Sequence, residues 1–304
     1  MRSSRSFVHG CLSRRSRELV TAGAPFVELL ARTNFSFLRG GSSPRRLVEC
    51  AAAFGYDAIG IADCDGLYGI VRAMEAAAEV GMRLVVGAEM AIDEAPIDTL
   101  WLHVATHAGY VNLCRLLTES HDRHPKGEPR KPEEGVPRNQ FAGIPLDRIR
   151  EWADGLWCTM AVPSAATPGL GDAVASLKAA FGERLSIALW QHRDGNDEPR
   201  RAVAVALSHE HRVPICATNR VLFARREDKA VFDVLHCIRE GTTLDEAGRA
   251  LLPNGEAHLR PRAEMEAIFI EHPEWLARSR EIAGACVFAM KELNYLFPSE
   301  LGHY

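Results

Sequence analysis

This sequence lacks a strong net charge, long apolar runs and a secretion signal. Its 36 basic and 40 acidic side chains leave a formal charge of −4 over 304 residues, so the chain as a whole has no electrostatic attraction for nucleic acid. No apolar run approaches the length of a membrane span. Residues 1–24 carry five arginines against one glutamate and no apolar segment, and we expect them to form a disordered basic arm.

Closely spaced cysteines are also absent. The eight cysteines form no C-x-x-C pair, whereas disulfide frameworks in small secreted proteins use short spacings. The pattern therefore predicts free thiols in a reducing compartment, and we expect a cytoplasmic protein with no membrane partner.

The sequence does contain a regular alternation of apolar runs and helical patterns. Hydrophobic residues make up 47% of the chain, enough for a large core. Seven runs have the continuous apolar character of strands covered on both faces. They are Phe26–Leu30, Ala58–Ala62, Leu84–Val86, Leu100–Ala105, Leu156–Met160, Leu185–Trp190 and Ile215–Ala217. This alternation predicts an α/β fold, either a parallel β/α barrel or a doubly wound sheet.

Capping residues mark the helices. Ser43 and Pro44 begin one helix and Gly55 closes it, and a second helical pattern ends at Gly81. Residues 121–140 hold four prolines and nine charged residues, which predicts a long exposed loop. Beyond about residue 235 the strand patterns cease and the rest is predicted to be helical. The other helical patterns are Asn112–Leu117, Ala173–Phe181, Pro199–Glu210, Glu227–Arg239, Arg262–Ile270 and Pro273–Val287.

Several longer motifs are typical of one enzyme family. They are NFSFLRG at 34–40, GIVRA at 69–73, VGAE at 86–89, GYVNLCRLL at 109–117, CIREGTTLDEAGR at 237–249 and PRAEM at 261–265. They occur in order within a region from about residue 26 to residue 298. On these motifs the sequence resembles the N-terminal region of bacterial C-family DNA polymerases, and within that family the error-prone, translesion branch.

The resemblance implies a PHP (polymerase and histidinol phosphatase) domain. Such a domain is a distorted seven-stranded, TIM-like β/α barrel, expected here over residues 25–235. A C-terminal helical extension over residues 236–304 would lead towards a polymerase palm that lies outside this chain. The implied activity of the whole enzyme is that of a nucleotidyltransferase, a DNA polymerase acting in DNA replication and repair after DNA damage.

The same resemblance implies partners and cofactors. The expected partners are the remainder of the polymerase (palm, thumb and fingers), DNA through the full-length enzyme, accessory translesion proteins and the sliding clamp. Mg²⁺ is expected for the polymerase domain and no cofactor for this chain.

Active members of the wider PHP superfamily hold three metal ions with histidines and carboxylates at the C-terminal ends of the strands. In this chain the matching positions are Leu30, Arg32, Arg39, Asp63, Cys64, Glu89, Arg220 and Leu222. Only two of them are carboxylates and none is a histidine. Because fixed cations repel metal ions, the sequence predicts a degenerate site with no metal and no catalytic residue.

The two carboxylates, Asp63 and Glu89, would be costly to bury without a partner. The first and last ligand motifs meet when the barrel closes. We therefore predict that Arg32, Arg220 or both replace the metals and pair with these carboxylates. The alternative is that both arginines extend into solvent at the barrel mouth.

Other candidate residues have ordinary structural explanations beside functional ones. Cys64 could be a thiolate ligand or a reactive thiol, but a buried cysteine more often packs as a small hydrophobe. The histidine pairs at 121/124 and 209/211 lack an acidic or cysteine partner in sequence, which is typical of surface histidines. His103 lies within a strand pattern, which predicts a core histidine. Residues 40–43 (GGSS) could cradle a phosphate or simply cap a helix.

Three functions remain open. The first is a non-catalytic PHP portion of an error-prone polymerase that stabilises the palm. In that case the arginine pairs at 45–46 and 225–226 could touch DNA, although solvated helix faces are the usual role of such pairs. The alternative is a stand-alone metal-dependent PHP phosphoesterase or 3′-5′ proofreading nuclease, which the ligand positions disfavour. The third is an isolated scaffold with no polymerase attached.

Overall fold

The computed structural model is a mixed α/β fold and describes residues 26–93, 96–97, 99–123 and 143–293. Its strands are β1 (Ala58–Cys64), β2 (Arg83–Asp93), β3 (Thr99–Val104), β4 (Ile144–Pro145), β5 (Leu156–Met160), β6 (Leu185–Leu189) and β7 (Ile215–Ala217). Its helices are α1 (Pro44–Ala53), α2 (Ile70–Val80), α3 (His107–Asp122), α4 (Leu146–Glu151), α5 (Leu170–Phe181), α6 (Asp197–His211), α7 (Lys229–Glu240), α8 (Leu244–Ala247), α9 (Arg262–Ile268) and α10 (Pro273–Ala285). No helix in the described part of the chain is long and apolar enough to cross a membrane.

The seven strands form one curled sheet in the order β1-β2-β3-β5-β6-β7, with β4 beside the end of β2. This architecture confirms the predicted seven-stranded β/α fold. The sheet is not parallel throughout, because β3 runs antiparallel to both β2 and β5. Only residues 94–98 join β2 to β3, too few for the crossover that a parallel pair requires.

The prediction of a strand over Phe26–Leu30 is also wrong. This segment is extended and lies beside β1, but the Gly60 N–H donates to the Glu28 carbonyl (2.7 Å) and the Ala62 N–H to the Ala31 carbonyl (2.9 Å). A step of two residues along β1 therefore corresponds to a step of three residues along the segment. This mismatch interrupts the regular hydrogen-bond ladder that a strand requires. The seventh strand is instead β4, which has only two residues and was not predicted.

Helix boundaries follow the caps read from the sequence. The Ser43 hydroxyl accepts a hydrogen bond from the Arg46 N–H (3.3 Å) at the start of α1, and Gly81 ends α2 with a φ of 69°. The prediction of a loop from residue 121 is wrong for its first two residues, because α3 continues through Asp122 with Ser120 still buried. The rest of that loop beyond residue 123, His124 included, and the basic arm lie outside the described residues.

The inside of the curled sheet is filled from below by α10. Ile282 and Ala283 of this helix pack among the inward side chains of the strands, including Trp101 of β3. The buried guanidinium of Arg278 donates to the Ser186 hydroxyl (2.9 Å) and the Leu185 carbonyl (3.2 Å) at the start of β6. Helix α10 therefore covers the N-terminal ends of the strands and leaves their C-terminal ends open.

Candidate functional site

The C-terminal ends of the strands form the mouth of the barrel, and four of the predicted site positions meet there. Arg32 follows the segment beside β1, Cys64 ends β1, Glu89 lies near the end of β2, and Arg220 follows β7. Charge interactions link Arg32 with Cys64 and Glu89, and Arg220 with the same two groups. Arg39 also has charge interactions with Arg32, Cys64 and Glu89, so a third arginine lies near these two cations, the carboxylate and the thiol.

Arg32 forms a buried ion pair with Glu89. Its Nη2 lies 2.5 Å from the Glu89 carboxylate, and the two side chains are only 10% and 11% exposed. The Trp101 indole N–H donates to the same carboxylate at 3.1 Å. Burial raises the pKa of Glu89, but Arg32 and Arg220 outweigh burial and hold the pKa below its ordinary value. The prediction that an arginine pairs with this carboxylate is confirmed.

Arg220 is a second, looser neighbour of the same carboxylate. Its Nη2 lies 4.0 Å from Glu89 Oε1, at the limit of ion-pair distance. The guanidinium carbon lies 5.0 Å from the Trp190 ring centre and 5.5 Å from that of Trp101, within the range of cation–π attraction. The side chain is 32% exposed, so Arg220 both approaches Glu89 and reaches solvent.

Asp63 pairs with hydroxyl and amide groups rather than with an arginine. Its carboxylate accepts hydrogen bonds from the Thr33 N–H (2.7 Å), the Thr33 hydroxyl (2.8 Å) and the Ser36 hydroxyl (2.7 Å). Such bonds satisfy a buried carboxylate without a cation. Asp63 therefore holds the turn that carries Arg32 into the mouth.

The remaining predicted positions do not add metal ligands. Burial raises the pKa of Cys64 to about 12, so its thiol is neutral at ordinary pH. Leu30 packs inside the barrel with α10, and Leu222 packs against the apolar cluster of Phe223 and Phe232. Burial lowers the pKa of Arg39, and repulsion from neighbouring arginines lowers it further.

These residues do not fit the trinuclear metal centre that the family resemblance implied. The Arg32 guanidinium is already paired with Glu89, the carboxylate that would bind a metal ion. Leu30, Leu222 and the neutral Cys64 thiol cannot coordinate a metal ion as imidazole does. Within the described residues there is no group of three or more His, Cys, Asp or Glu side chains placed to hold a metal ion.

Glu28 is a buried acid that the sequence interpretation missed. Its carboxylate accepts hydrogen bonds from the Leu30 N–H (2.9 Å), the Thr218 hydroxyl (2.6 Å) and the Asn219 N–H (2.7 Å). Burial raises its pKa, and the hydrogen bonds oppose that rise. Glu28 thus joins the first segment to the residues after β7 and closes the barrel. A single acid in the apolar run Phe26–Leu30 was the available signal.

Trp190 and His192 are the other residues that sequence reasoning missed. Trp190 presents one face to Arg220 and is also contacted by Arg200, whose guanidinium carbon lies 4.6 Å from the ring centre. Burial lowers the pKa of His192 to about 4, so its Nε2 can donate to the Asn219 carbonyl at 2.7 Å as a neutral imidazole. Both residues support the backbone and side chain of Arg220.

The other candidates have structural roles. His121 Nε2 hydrogen-bonds the Asp65 carbonyl at 2.7 Å, and the 209/211 pair ends α6, as predicted. His103 is completely buried in β3, and burial lowers its pKa to about 4. Within residues 40–43, Ser43 caps α1, and the Ser42 hydroxyl accepts a hydrogen bond from the Ala224 N–H (2.9 Å). The four arginines at 45–46 and 225–226 are exposed, and each lies within 4.0 Å of a carboxylate.

Comparison with known proteins finds relatives that are all error-prone DNA polymerases among those described next. The chain is 38% identical over 274 residues to an error-prone DNA polymerase of Anaeromyxobacter dehalogenans, which covers 88% of this chain and 23% of the polymerase. It is 38% identical over 281 residues to the error-prone DNA polymerase of Pseudomonas syringae, covering 91% of this chain and 25% of that protein. The chain thus spans about a quarter of the length of these relatives.

Solved structures and a family profile complete the comparison. A candidate metal-dependent phosphoesterase of Bifidobacterium adolescentis has a TM-score of 0.47 at 16% identity, covering 65% of this chain and 88% of that one. An amidohydrolase of Chromobacterium violaceum has a TM-score of 0.48 at 14% identity, covering 63% of this chain and 85% of that one. The profile of the PHP domain matches residues 28–187. Since this match includes more than half of the sequence, the chain belongs to the PHP domain family.

Proposed function

We propose that this chain is the N-terminal PHP portion of an error-prone DNA polymerase and that its barrel mouth holds no metal and has no catalytic role. The contact of Arg32 with Glu89 at 2.5 Å carries this proposal, because it places a permanent cation on the carboxylate that would otherwise bind metal. The similarity to error-prone polymerases over nearly the whole chain supports the first half of the proposal, the assignment to the N-terminal region of such a polymerase.

In this proposal the chain acts as a structural domain. The proposed division is a barrel over residues 25–235 and an extension towards the palm over residues 236–304, of which α10 packs back into the barrel. The remainder of the polymerase is the main partner, and DNA, accessory translesion proteins and the sliding clamp are met through the full-length enzyme in the cytoplasm. Mg²⁺ would serve the polymerase active site, which phosphoryl transfer to a primer requires.

Elemental analysis tests the absence of metal. The chain is produced with added zinc and manganese, dialysed, and measured by inductively coupled plasma mass spectrometry beside a PHP phosphoesterase with intact histidines. We expect well below one equivalent of either metal. About two or three equivalents of metal, or hydrolysis of a phosphomonoester or of a 3′ DNA end, would support the hydrolase alternative instead.

Primer extension tests the link to a polymerase. The chain alone is expected to add no nucleotide to a primer, whereas a protein translated from the reading frame through and beyond the Tyr304 codon is expected to do so. Template-dependent incorporation by the chain alone, above a boiled control, contradicts the proposal. So does the lack of polymerase motifs in the DNA that follows that codon.

A further inference from the structure

Helix α7 exposes apolar residues to solvent. Its four exposed residues are Ala230, Val231, Val234 and Ile238, and none of them is polar. The spacing of three and four residues from Val231 to Ile238 places them along one face of the helix. A surface helix ordinarily turns its polar residues outward and its apolar residues towards the core. On this side α7 has the opposite arrangement.

The charged residues of α7 are paired with each other and withdrawn from solvent. Lys229 Nζ lies 2.5 Å from the Asp233 carboxylate, and Arg239 Nε lies 2.8 Å from that of Glu240. In both pairs each side chain is at most 23% exposed. The helix packs on the barrel through Phe232, which lies in a buried apolar cluster. Packing among the described residues therefore accounts for Phe232 but not for the exposed apolar side.

Further apolar residues are exposed near the C-terminal end of α7. Leu244 of α8 is 50% exposed, and Phe37 is 80% exposed. The Arg239 guanidinium donates to the Leu38 carbonyl (3.3 Å), which brings the segment that carries Phe37 to this end of the helix. Single exposed apolar residues are ordinary, whereas a group of them marks an interaction surface. We call this group the α7 face, and its members are Phe37, Val231, Val234, Ile238 and Leu244.

The length of the relatives indicates what covers the α7 face. This chain spans about a quarter of the error-prone polymerases that it matches. Ile238 and Leu244 belong to the motif CIREGTTLDEAGR at 237–249, which is typical of those polymerases, and yet both side chains are exposed. Apolar residues of such a motif have a physical reason to be there if the other three quarters of the protein cover them.

We propose that the α7 face is the surface on which the part of the polymerase after residue 304 docks, through an apolar face of its own. This inference rests on the proposed function, because it needs a polymerase to follow the chain, and it goes further by naming the surface of contact. The charges of α7 suit such an interface, since ion pairs that already exist need no new partner when water is excluded. Burial of the aliphatic side chains supplies the attraction.

Hydroxyl-radical footprinting read by mass spectrometry tests the proposal. It compares the 304-residue chain with the longer protein translated through and beyond the Tyr304 codon. We expect the modification of Ile238 and Leu244 to fall about fivefold or more in the longer protein, because side chains within an interface lose their contact with water. Val80, which ends α2 and is 42% exposed, is the internal reference and should be modified equally in both proteins.

Ile238→Lys places a charge within the α7 face, and Val80→Lys is the matched control. Both positions lie in the last turn of a helix, where lysine is well tolerated. Neither variant should shift the thermal unfolding midpoint of the 304-residue chain by more than about 2 °C, because both residues are exposed. In the longer protein, Ile238→Lys should return the modification of Leu244 to its level in the 304-residue chain, and Val80→Lys should leave Leu244 protected.

Equal modification of the α7 face in the two wild-type proteins overturns the proposal. So does protection that is already present in the 304-residue chain: if it rises with protein concentration a second copy covers the face, and if it does not, another segment of this chain does. Primer extension separates these results from a failure of the proposed function. A longer protein that extends a primer but leaves the face exposed contradicts this inference alone, whereas one without polymerase activity contradicts the proposed function and this inference with it.

Discussion

At the barrel mouth one buried carboxylate, Glu89, is shared by two arginines. Glu89 accepts from Arg32 and from Trp101 and lies 4.0 Å from Arg220. Removing one member of such a pair leaves the other charge buried without compensation, which costs more than the pair itself contributes. The stability of the mouth should therefore depend on Arg32 far more than on any surface arginine.

We expect Arg32→Met to lower the free energy of unfolding by about 3–5 kcal/mol, because it leaves the Glu89 carboxylate buried without its main partner. The double variant Arg32→Met with Glu89→Met should lose less than the sum of the two single variants. Urea unfolding measures all of them. Arg45→Met, which breaks an exposed pair with Glu79, is the control and should change little. An equal loss in both arginine variants would contradict the prediction.

His103 should make stability depend on pH. Its folded-state pKa is about 4, against 6.5 for an unperturbed histidine, so between these values the unfolded chain binds a proton that the folded chain does not. Stability is then lost as the pH falls from about 6.5 to about 4. His103→Leu should flatten this slope in urea unfolding measured across that range. The slope should not vanish, because burial also lowers the pKa of His192.

The matching control is His209→Gln, on the exposed face of α6. It should leave the pH slope unchanged. A slope equally steep in His103→Leu and in the wild type would show that other groups cause the acid sensitivity.

Single residues differed in how far the sequence could predict them. The Arg32–Glu89 pair follows from which residue types end the first segment and β2, because parallel elements bring their ends together. Glu28 could not be placed in this way. Its role depends on Thr218 and Asn219, which lie about 190 positions away, and a lone acid in an apolar run does not reveal such partners.

At the scale of elements, the first segment and β1 approach each other unusually closely. A Cβ added to Gly60 of β1 would lie 2.5 Å from the Leu29 carbonyl oxygen, nearer than any side chain tolerates. The same segment makes the irregular contacts with β1 that keep it from being a strand. Gly60 is thus the residue that lets the segment lie against the sheet.

We expect Gly60→Ala to destabilise the protein by about 2 kcal/mol or more, since backbone atoms would have to move. Gly284→Ala is the control, because that position in α10 has no atom within 4 Å of an added Cβ. It should stabilise the protein by about 0.5–1 kcal/mol through helix propensity. Thermal unfolding of both variants gives the comparison. A Gly60→Ala protein as stable as the wild type would mean that the segment can shift at no cost.

Helices could be predicted from the sequence where nearby capping residues determine their ends. The caps at Ser43 and Gly81 gave two helices correctly, because capping is decided within a few residues. The direction of β3 was missed, since an apolar run looks the same in parallel and antiparallel strands. The predicted strands ended at Val86 and began again at Leu100, a gap long enough for a crossover, whereas β2 continues to Asp93 and leaves only residues 94–98 before β3.

At the scale of the whole molecule, α10 ties the end of the described chain to its beginning. Ser279 accepts a hydrogen bond from the Val27 N–H (3.0 Å), and Ile282 and Ala283 fill the barrel interior. Contacts this distant in sequence leave no local pattern, which is why the helix was predicted but its place inside the barrel was not.

We expect a chain that ends at residue 271 to lose cooperative unfolding, because deleting α10 exposes the inner core of the barrel. A chain that ends at residue 293 keeps every described residue and is the control. Circular dichroism during urea unfolding distinguishes the two. A sharp transition in the shorter chain, with the same midpoint as the control, would show that the barrel needs no helix beneath it.

Arg32 also changes how the barrel mouth responds to the chemistry of the cell. A metal cofactor is held by an equilibrium, so its occupancy falls during metal starvation and the wrong ion enters when that ion is in excess. A guanidinium joined to the backbone has no dissociation constant and keeps its charge at every physiological pH. The Arg32 guanidinium that pairs with Glu89 is therefore part of every translated chain, and its presence does not depend on zinc homeostasis, chelators or competing ions.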